Sequence, residues 1–174
     1  MQRPGGLFYD LGSGTGKPCV AAAVLHNFEV CYGIEILEGL YSMSLDVVAS
    51  YESRGKSRMA AREFDTEITT LNGNMLKTKF KDWRDADVVF ANSTCYDDEL
   101  LEKISNIALG LKKGAFVITF TKRLPAADFD VLEYELHQQS WGAATVYIQQ
   151  KTTEPRESEG EYLNGGEDEV DEDS

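Results

Sequence analysis

A glycine-rich turn near the start of the chain is the first place where the residue types could do chemistry. The stretch FYDLGSGTGKP, residues 8–18, has an apolar run, an acid at Asp10 and then glycines at Gly12, Gly14 and Gly16. Glycine turns between a strand and a helix usually cradle phosphates, and a dinucleotide site reads G-x-G-x-x-G. The spacing here is G-x-G-x-G. Because the preceding carboxylate would repel a pyrophosphate and attract an amine or a sulfonium, the turn predicts a cationic ligand.

Two later positions could contact the rest of such a ligand. Glu35 lies 23 residues after Gly12, near the spacing at which an acid accepts hydrogen bonds from ribose hydroxyls. Asn74 and Met75 follow a third predicted strand, where an amide can bond an adenine edge and a thioether can pack on the ring. The plainer alternatives are a strand-end glutamate, an ordinary Asn-Gly turn and a glycine turn without a ligand.

Alternating strands and helices have to position these residues. Short β-prone runs alternate with amphipathic helical spacing, but no helix separates the last two strands. We therefore predict an α/β fold: a seven-stranded, Rossmann-like, doubly wound sheet with a terminal antiparallel β-hairpin. Ligands of such sheets lie at the carboxyl ends of the strands, where the strand order reverses. The predicted strands are 7–9, 30–34, 67–71, 86–91, 115–121, 130–138 and 143–150. The predicted helices are 17–26, 40 to about 63 with an interruption near Gly55, and 97–111.

The charge is unevenly distributed and divides the chain in two. Of the net charge of −13, much lies in residues 154–174, which hold ten acids and one base. This segment has too few apolar residues to bury a core. We predict a catalytic domain over residues 1–153 and an acidic disordered tail over 154–174. The tail either only solvates the chain or binds something basic, such as histone tails.

Composition excludes several other classes of protein. The three cysteines, Cys19, Cys31 and Cys95, and the two histidines lack metal-ligand spacing, so no metal site is predicted. Reduced thiols in an intracellular protein are the expected state. No apolar run approaches the ~20 residues that span a bilayer, and the N-terminus has no signal-peptide pattern. The first strand begins only six residues in, as expected of a domain taken from a longer protein or of a chain without an upstream element.

Five motifs in order resemble the non-SET histone-lysine methyltransferase family, known as disruptor of telomeric silencing. This family belongs to the class I S-adenosylmethionine-dependent methyltransferases. The resemblance covers about residues 7–150. The motifs are the D-L-G-S-G-x-G turn at 10–16, Y-G-x-E at 32–35, F-A-N-S-T-C-Y at 90–96, the K-K-G turn at 112–114, and Ser140-Trp141 before a tyrosine-containing strand.

The resemblance implies a role for each matching residue. Asn92, Tyr96 and Tyr147 are the expected catalytic residues, and Phe90 and Trp141 line a lysine channel. Asn74-Met75 replaces an Asp-Phe pair, Lys17 replaces a glutamine, and one of two adjacent tyrosines in the last strand is Val146. Lys17 either pairs with the cofactor's carboxylate or faces solvent. The expected contacts to S-adenosylmethionine come from Asp10, Gly12, Ser13, Gly14, Gly16, Lys17, Glu35, Asn74, Met75 and Asn92.

The expected function is S-adenosylmethionine-dependent methylation of a protein lysine. A histone is the candidate substrate, and a nuclear location follows from the family resemblance. The family's upstream loop, T-Y-G-E, has no counterpart in the chain, and the basic clusters that grip nucleosomal DNA are missing. We therefore expect weak or no direct nucleic-acid binding, no membrane association and a monomer. The alternatives are a small-molecule methyltransferase and a non-catalytic cofactor-binding scaffold; a dehydrogenase fits least.

Overall fold

The computed structural model of the chain describes residues 5–56 and 65–156. Its seven strands and three α-helices follow the predicted order. The predicted acidic tail lies outside the described residues from 157 onward. The strands are β1 Leu7–Leu11, β2 Val30–Glu35, β3 Glu67–Asn72, β4 Val88–Ala91, β5 Phe116–Phe120, β6 Phe129–Gln139 and β7 Gly142–Lys151; the helices are α1 Lys17–Leu25, α2 Glu38–Ser50 and α3 Asp98–Ala108.

The strands form one sheet in the order β3-β2-β1-β4-β5-β7-β6. The first five strands of that order are parallel, and β7 runs antiparallel to both β5 and β6. From β1 the chain moves outward through β2 and β3, and it then returns to the other side of β1 at β4. The strand order therefore reverses between β1 and β4, which is where such sheets bind ligands.

Alternate residues of β1 enter two separate cores, because successive side chains of a strand point to opposite faces. Phe8 packs with Cys19 and Ala22 of α1 on one face. Tyr9 and Leu11 belong to the cluster on the other face, which also contains the buried residues of α3. Among residues 5–56 and 65–156, none of the helices has the length and apolar content that crossing a bilayer requires.

The second helix changes its geometry near Gly55, where the sequence pattern predicts an interruption. It passes at Tyr51–Gly55 into a π-helical turn. A Cβ atom at Gly55 would lie 2.8 Å from the Tyr51 ring, so the glycine leaves room for the ring. The part of the predicted helix from 57 to 63 lies outside the described residues.

A cluster around Asp128 anchors the chain after β7. Thr153 Oγ1 donates a hydrogen bond to Asp128 Oδ1 at 2.7 Å, and Arg156 Nη2 donates to Oδ2 at 2.5 Å. The buried Lys151 Nζ lies 3.7 Å from Oδ1. The hydrogen bond from Thr153 and the charge of Arg156 lower the pKa of Asp128. These contacts extend beyond residue 153, where the domain boundary remains a prediction.

Asp128→Asn is expected to lower the free energy of unfolding at pH 7 by about 1–3 kcal/mol, because charge-assisted hydrogen bonds are lost. The carboxyl has a lower pKa folded than unfolded. Its stabilisation is therefore complete above the ordinary value of 3.8 and is lost as the pH falls through the folded value. Urea unfolding at pH 7 and about pH 3 measures both effects. The exposed Asp130→Asn is the control, and an equal loss at both pH values would contradict the assignment.

Candidate functional site

The predicted ligand-binding residues meet at the carboxyl ends of β1, β2 and β4. Leu11 pairs with Ala91 across β1 and β4, so the loops that begin at Gly12 and Asn92 lie side by side. Glu35 ends β2 at the same edge of the sheet. The fold therefore brings together residues that are far apart in the sequence, at the point where the strand order reverses.

The three glycines of the turn all have left-handed backbone angles, with φ of 76°, 54° and 75°, which glycine adopts without strain. They differ in their surroundings. A Cβ atom at Gly12 would lie 2.8 Å from the Tyr96 hydroxyl oxygen, and one at Gly16 would lie 3.2 Å from Ser44 Cβ. A Cβ atom at Gly14 would have no atom within 4 Å apart from its chain neighbours. A side chain at Gly14 would therefore enter open space, whereas one at Gly12 or Gly16 would meet Tyr96 or Ser44.

Strand β2 holds the turn through backbone hydrogen bonds and close packing. The backbone N–H groups of Gly12 and Ser13 both donate to the Ile34 carbonyl, at 2.9 and 3.1 Å. A Cβ atom at Gly33 would lie 2.8 Å from Ser13 Oγ and 3.0 Å from Cys19 Sγ. The glycine of the Y-G-x-E motif is thus explained by packing against the turn.

Gly33→Ala is expected to destabilise the protein by about 1–3 kcal/mol, the usual cost of overpacking a tight core. The added methyl group would push Ser13 and Cys19 and shift the turn. Gly39→Ala in α2 is the matched control, since a Cβ there has no atom within 4 Å and alanine favours the helix. Urea unfolding compares the two variants, and equal stabilities would overturn this explanation of the motif.

Two buried carboxylates flank the turn. Asp10 is 1% exposed and Glu35 is 6% exposed. Burial, and secondly the charge of Glu35, raise the pKa of Asp10 to about 8. Glu35 accepts hydrogen bonds from the N–H groups of Gly14, at 2.8 Å, and Leu37, at 2.9 Å. Each Glu35 oxygen keeps further accepting capacity. The charge of Glu35, the smaller of the two causes that raise the pKa of Asp10, favours a cation beside the pair.

Tyr96, in the loop after β4, packs against the glycine turn. Its hydroxyl donates to the Leu11 carbonyl at 2.6 Å. Burial, followed by the charges of Asp10 and Glu35, raises the pKa of Tyr96 well above its ordinary value. The phenol therefore stays protonated at neutral pH and acts as a hydrogen-bond donor, so it is unsuited to act as a base.

A small apolar cavity adjoins the turn at the end of β3. Asn74 Oδ1 accepts a hydrogen bond from the Leu76 N–H at 2.9 Å. The Met75 carbonyl accepts one from Trp83 Nε1 at 2.8 Å. The fully buried Trp83 thus supports the cavity wall, although no sequence pattern pointed to it. The cavity has a volume of about 200 Å³ and is lined by Gly12, Ile34, Ile36, Gly73, Asn74, Met75, Leu76 and Leu100.

Asn92 is the first residue after β4 and is exposed at the carboxyl end of that strand. Its Oδ1 accepts a hydrogen bond from the Thr94 hydroxyl at 2.9 Å. This hydrogen bond limits the orientation of the Asn92 carboxamide at the carboxyl end of β4, which lies next to the end of β1.

A family model described as histone methylation protein DOT1 matches residues 2–154 of the chain. The chain belongs to this family. One similar curated protein is "Histone-lysine N-methyltransferase, H3 lysine-79 specific" from Eremothecium gossypii, which is 24% identical over 145 residues, covering 78% of the chain and 24% of the relative. A protein of the same name from Cryptococcus neoformans var. neoformans serotype D is 28% identical over 122 residues, covering 70% and 19%. The DOT1-family chain therefore spans no more than about a quarter of these relatives' length.

Solved structures of methyltransferases share the fold of this DOT1-family chain. An RNA methyltransferase from Salinibacter ruber, in complex with S-adenosyl-L-homocysteine, superposes with a TM-score of 0.63 at 21% identity, covering 90% of the chain and 87% of that protein. TrmN from Thermus thermophilus gives 0.62 at 18% identity, covering 86% and 45%. The prediction of a Rossmann-like sheet with an antiparallel end is confirmed.

The remaining predicted site residues of this DOT1-family chain are distributed over several elements. The Phe90 ring contacts Phe120, at 5.5 Å between centroids, and lines a groove of about 640 Å³ on the α1 face. Tyr147 pairs with Thr119 of β5, which puts it two strand spacings, roughly 10 Å, from β4. Trp141 lies in the β6–β7 turn and is half exposed. Lys17 is exposed at the start of α1. Their roles stay predictions.

Proposed function

We propose that this domain transfers a methyl group from S-adenosylmethionine to a lysine side chain of a protein, with histone H3 as the substrate. The observation that carries the proposal is the pair of buried carboxylates, Asp10 and Glu35, beside a glycine turn that is open at Gly14. The substrate class follows from the family, because the two curated relatives are named as specific for lysine 79 of H3.

The groups around the turn suit a sulfonium cofactor better than a dinucleotide. The charge of Glu35 would repel a pyrophosphate. The same charge helps to raise the pKa of Asp10, after burial, and a cation bound between the two groups would offset it. Ser13 Oγ is buried without a hydrogen-bond partner among the described residues and lies against Gly33, so Ser13 supports the shape of the turn. S-adenosylmethionine supplies an electrophilic methyl group when it is bound here.

Each element at the crevice would hold one part of that cofactor. Asp10 attracts the ammonium group of the methionine end, and Glu35 accepts from the ribose hydroxyls with the lone pairs that its backbone contacts leave. The cavity beside Asn74 and Met75 takes the adenine. Lys17 at the first turn of α1 is a candidate partner for the cofactor's carboxylate.

The target amine must be held in line with the methyl group and must lose its proton. Asn92, the first residue after β4, is the residue proposed to bind the amine, and positioning of this kind supplies much of the rate. Because the Tyr96 phenol stays protonated, no base is assigned to it. Aromatic surroundings disfavour the ammonium form and lower the pKa of a lysine; Phe90, Trp141 and Tyr147 are the residues proposed to supply them.

A histone substrate implies that the protein works in the nucleus. Its net charge of −13 opposes phosphate contacts, which require clustered lysine and arginine. We therefore expect it to reach its substrate through protein contacts, with weak or no direct binding to nucleic acid.

A labelling experiment tests the proposal. The 174-residue chain is incubated with tritiated-methyl S-adenosylmethionine and histone H3, total lysate protein or a metabolite extract. Label on lysines of H3 supports the proposal, and Asn92→Ala should abolish it while Asn106→Ala in α3 should not. Label in metabolites alone would indicate a small-molecule methyltransferase. Absence of both labelling and calorimetric binding of the cofactor would indicate a non-catalytic scaffold.

A further inference from the structure

We propose that Thr94 and Thr121 are positioning residues that hold the carboxamide of Asn92 in its working orientation. The inference rests on the proposed function, because it assigns Asn92 to the target amine. The hydroxyl groups of the two threonines lie 3.1 Å apart, and Thr94 lies 2.9 Å from Asn92 Oδ1.

The direction of this hydroxyl relay follows from simple chemistry. Asn92 Oδ1 can only accept, so the single hydroxyl proton of Thr94 is donated to it. Thr94 must then accept in its contact with Thr121, and Thr121 donates. One lone pair of Asn92 Oδ1 is thereby occupied, the plane of the carboxamide is held, and the second lone pair and the Nδ2 group remain for ligands.

The backbone at Thr121 carries strain that no core contact explains. Its φ is 64°, and it is the sole non-glycine residue with positive φ among residues 5–56 and 65–156. A β-branched residue is a genuine outlier there. The Lys122 N–H donates to the Phe120 carbonyl at 2.6 Å, which closes a γ-turn around Thr121, and γ-turns with positive φ are rare and strained. Such strain clusters at functional sites.

Neighbouring contacts hold the γ-turn against the loop after β4. Ser93 Oγ donates to the Phe120 carbonyl at 2.6 Å and accepts from its N–H at 3.2 Å. Lys122 Nζ donates to the Tyr96 carbonyl at 3.0 Å. The Thr121 N–H donates to the Thr145 carbonyl of β7 at 2.7 Å. The loop that bears Asn92 and the end of β5 are therefore one connected unit, and Thr121 is kept at the place that the relay requires.

Four variants separate the hydroxyl groups from the backbone. Thr94→Val breaks the relay, whereas Thr94→Ser keeps it. Thr121→Gly removes the hydroxyl and relieves the strained φ, whereas Thr121→Asn tolerates positive φ and keeps a donor. We expect Thr94→Val and Thr121→Gly to lower kcat about tenfold or more, with the KM for S-adenosylmethionine within about twofold. Thr94→Ser and Thr121→Asn should retain most of the activity.

Stability and NMR supply readouts that do not depend on catalysis. Thr121→Gly should leave Tm unchanged or raise it by up to about 5 °C. The loss of activity would then occur without a loss of stability. The side-chain NH2 signals of Asn92, assigned by their loss in Asn92→Ala, should shift and exchange faster in Thr94→Val than in Thr94→Ser. Unchanged signals in Thr94→Val, or a lower Tm in Thr121→Gly, would overturn the inference even if no methylation substrate were found.

Discussion

Replacing Gly14 with arginine is expected to abolish binding of S-adenosylmethionine, and with it any methyl transfer. Gly14 is the glycine of the turn that faces open space, with no atom within 4 Å of a built Cβ. An arginine side chain would occupy this open space beside the turn. Its cation would also be attracted to Glu35, whose oxygen already accepts from the Gly14 N–H and which is proposed to bind the cofactor. Calorimetric titration with S-adenosylmethionine measures the loss.

Gly114→Arg is the matched control for this experiment. Gly114 also has a positive φ, 89°, and also has no atom within 4 Å of a built Cβ, but it lies before β5, at the opposite end of the sheet. Both variants therefore bear similar backbone strain, and only the first occupies the crevice. Cofactor binding that survives in Gly14→Arg, or that is lost equally in both variants, would place the cofactor elsewhere.

Cofactor binding is expected to release about one proton near pH 6.5, because Asp10 titrates when a cation arrives. In the free protein, burial and secondly the charge of Glu35 raise the pKa of Asp10 to about 8, so the carboxyl is protonated. A bound cation favours the carboxylate and lowers that pKa. Calorimetry at one pH in buffers with different ionisation enthalpies counts the protons released.

Asp10→Asn should eliminate this proton release and weaken binding about 100-fold, the loss expected for one charge-assisted contact. Asp46→Asn, on the exposed side of α2, should change neither quantity. The free protein also has a defined pH response: the folded carboxyl keeps a proton that the unfolded chain has released. Its contribution to stability therefore falls as the pH rises from about 4 to about 8. Binding enthalpies independent of the buffer would contradict the role of Asp10.

The sequence alone was enough to predict the order of strands and helices and the family, and it indicated the turn that is proposed to bind the cofactor. Short β-prone runs and amphipathic spacing are local signals, so they predict strands and helices without knowledge of the fold. The class of ligand expected at the turn could also be predicted from Asp10 and the glycine spacing alone, because a carboxylate beside a turn disfavours phosphate wherever the turn lies. Glu35 could be assigned because parallel strands bring their carboxyl ends to one edge of a sheet.

Only the tertiary structure decided which groups contact one another at that edge. Tyr96 proved to lie against Gly12 and to bond the Leu11 carbonyl, and Trp83 to support Met75. The strain at Thr121 and its contact with Thr94 depend on how β5 ends beside β4. These contacts join residues whose spacing along the chain carries no periodic signal. Their geometry is set by packing between separate elements, which side-chain types and local propensity do not encode.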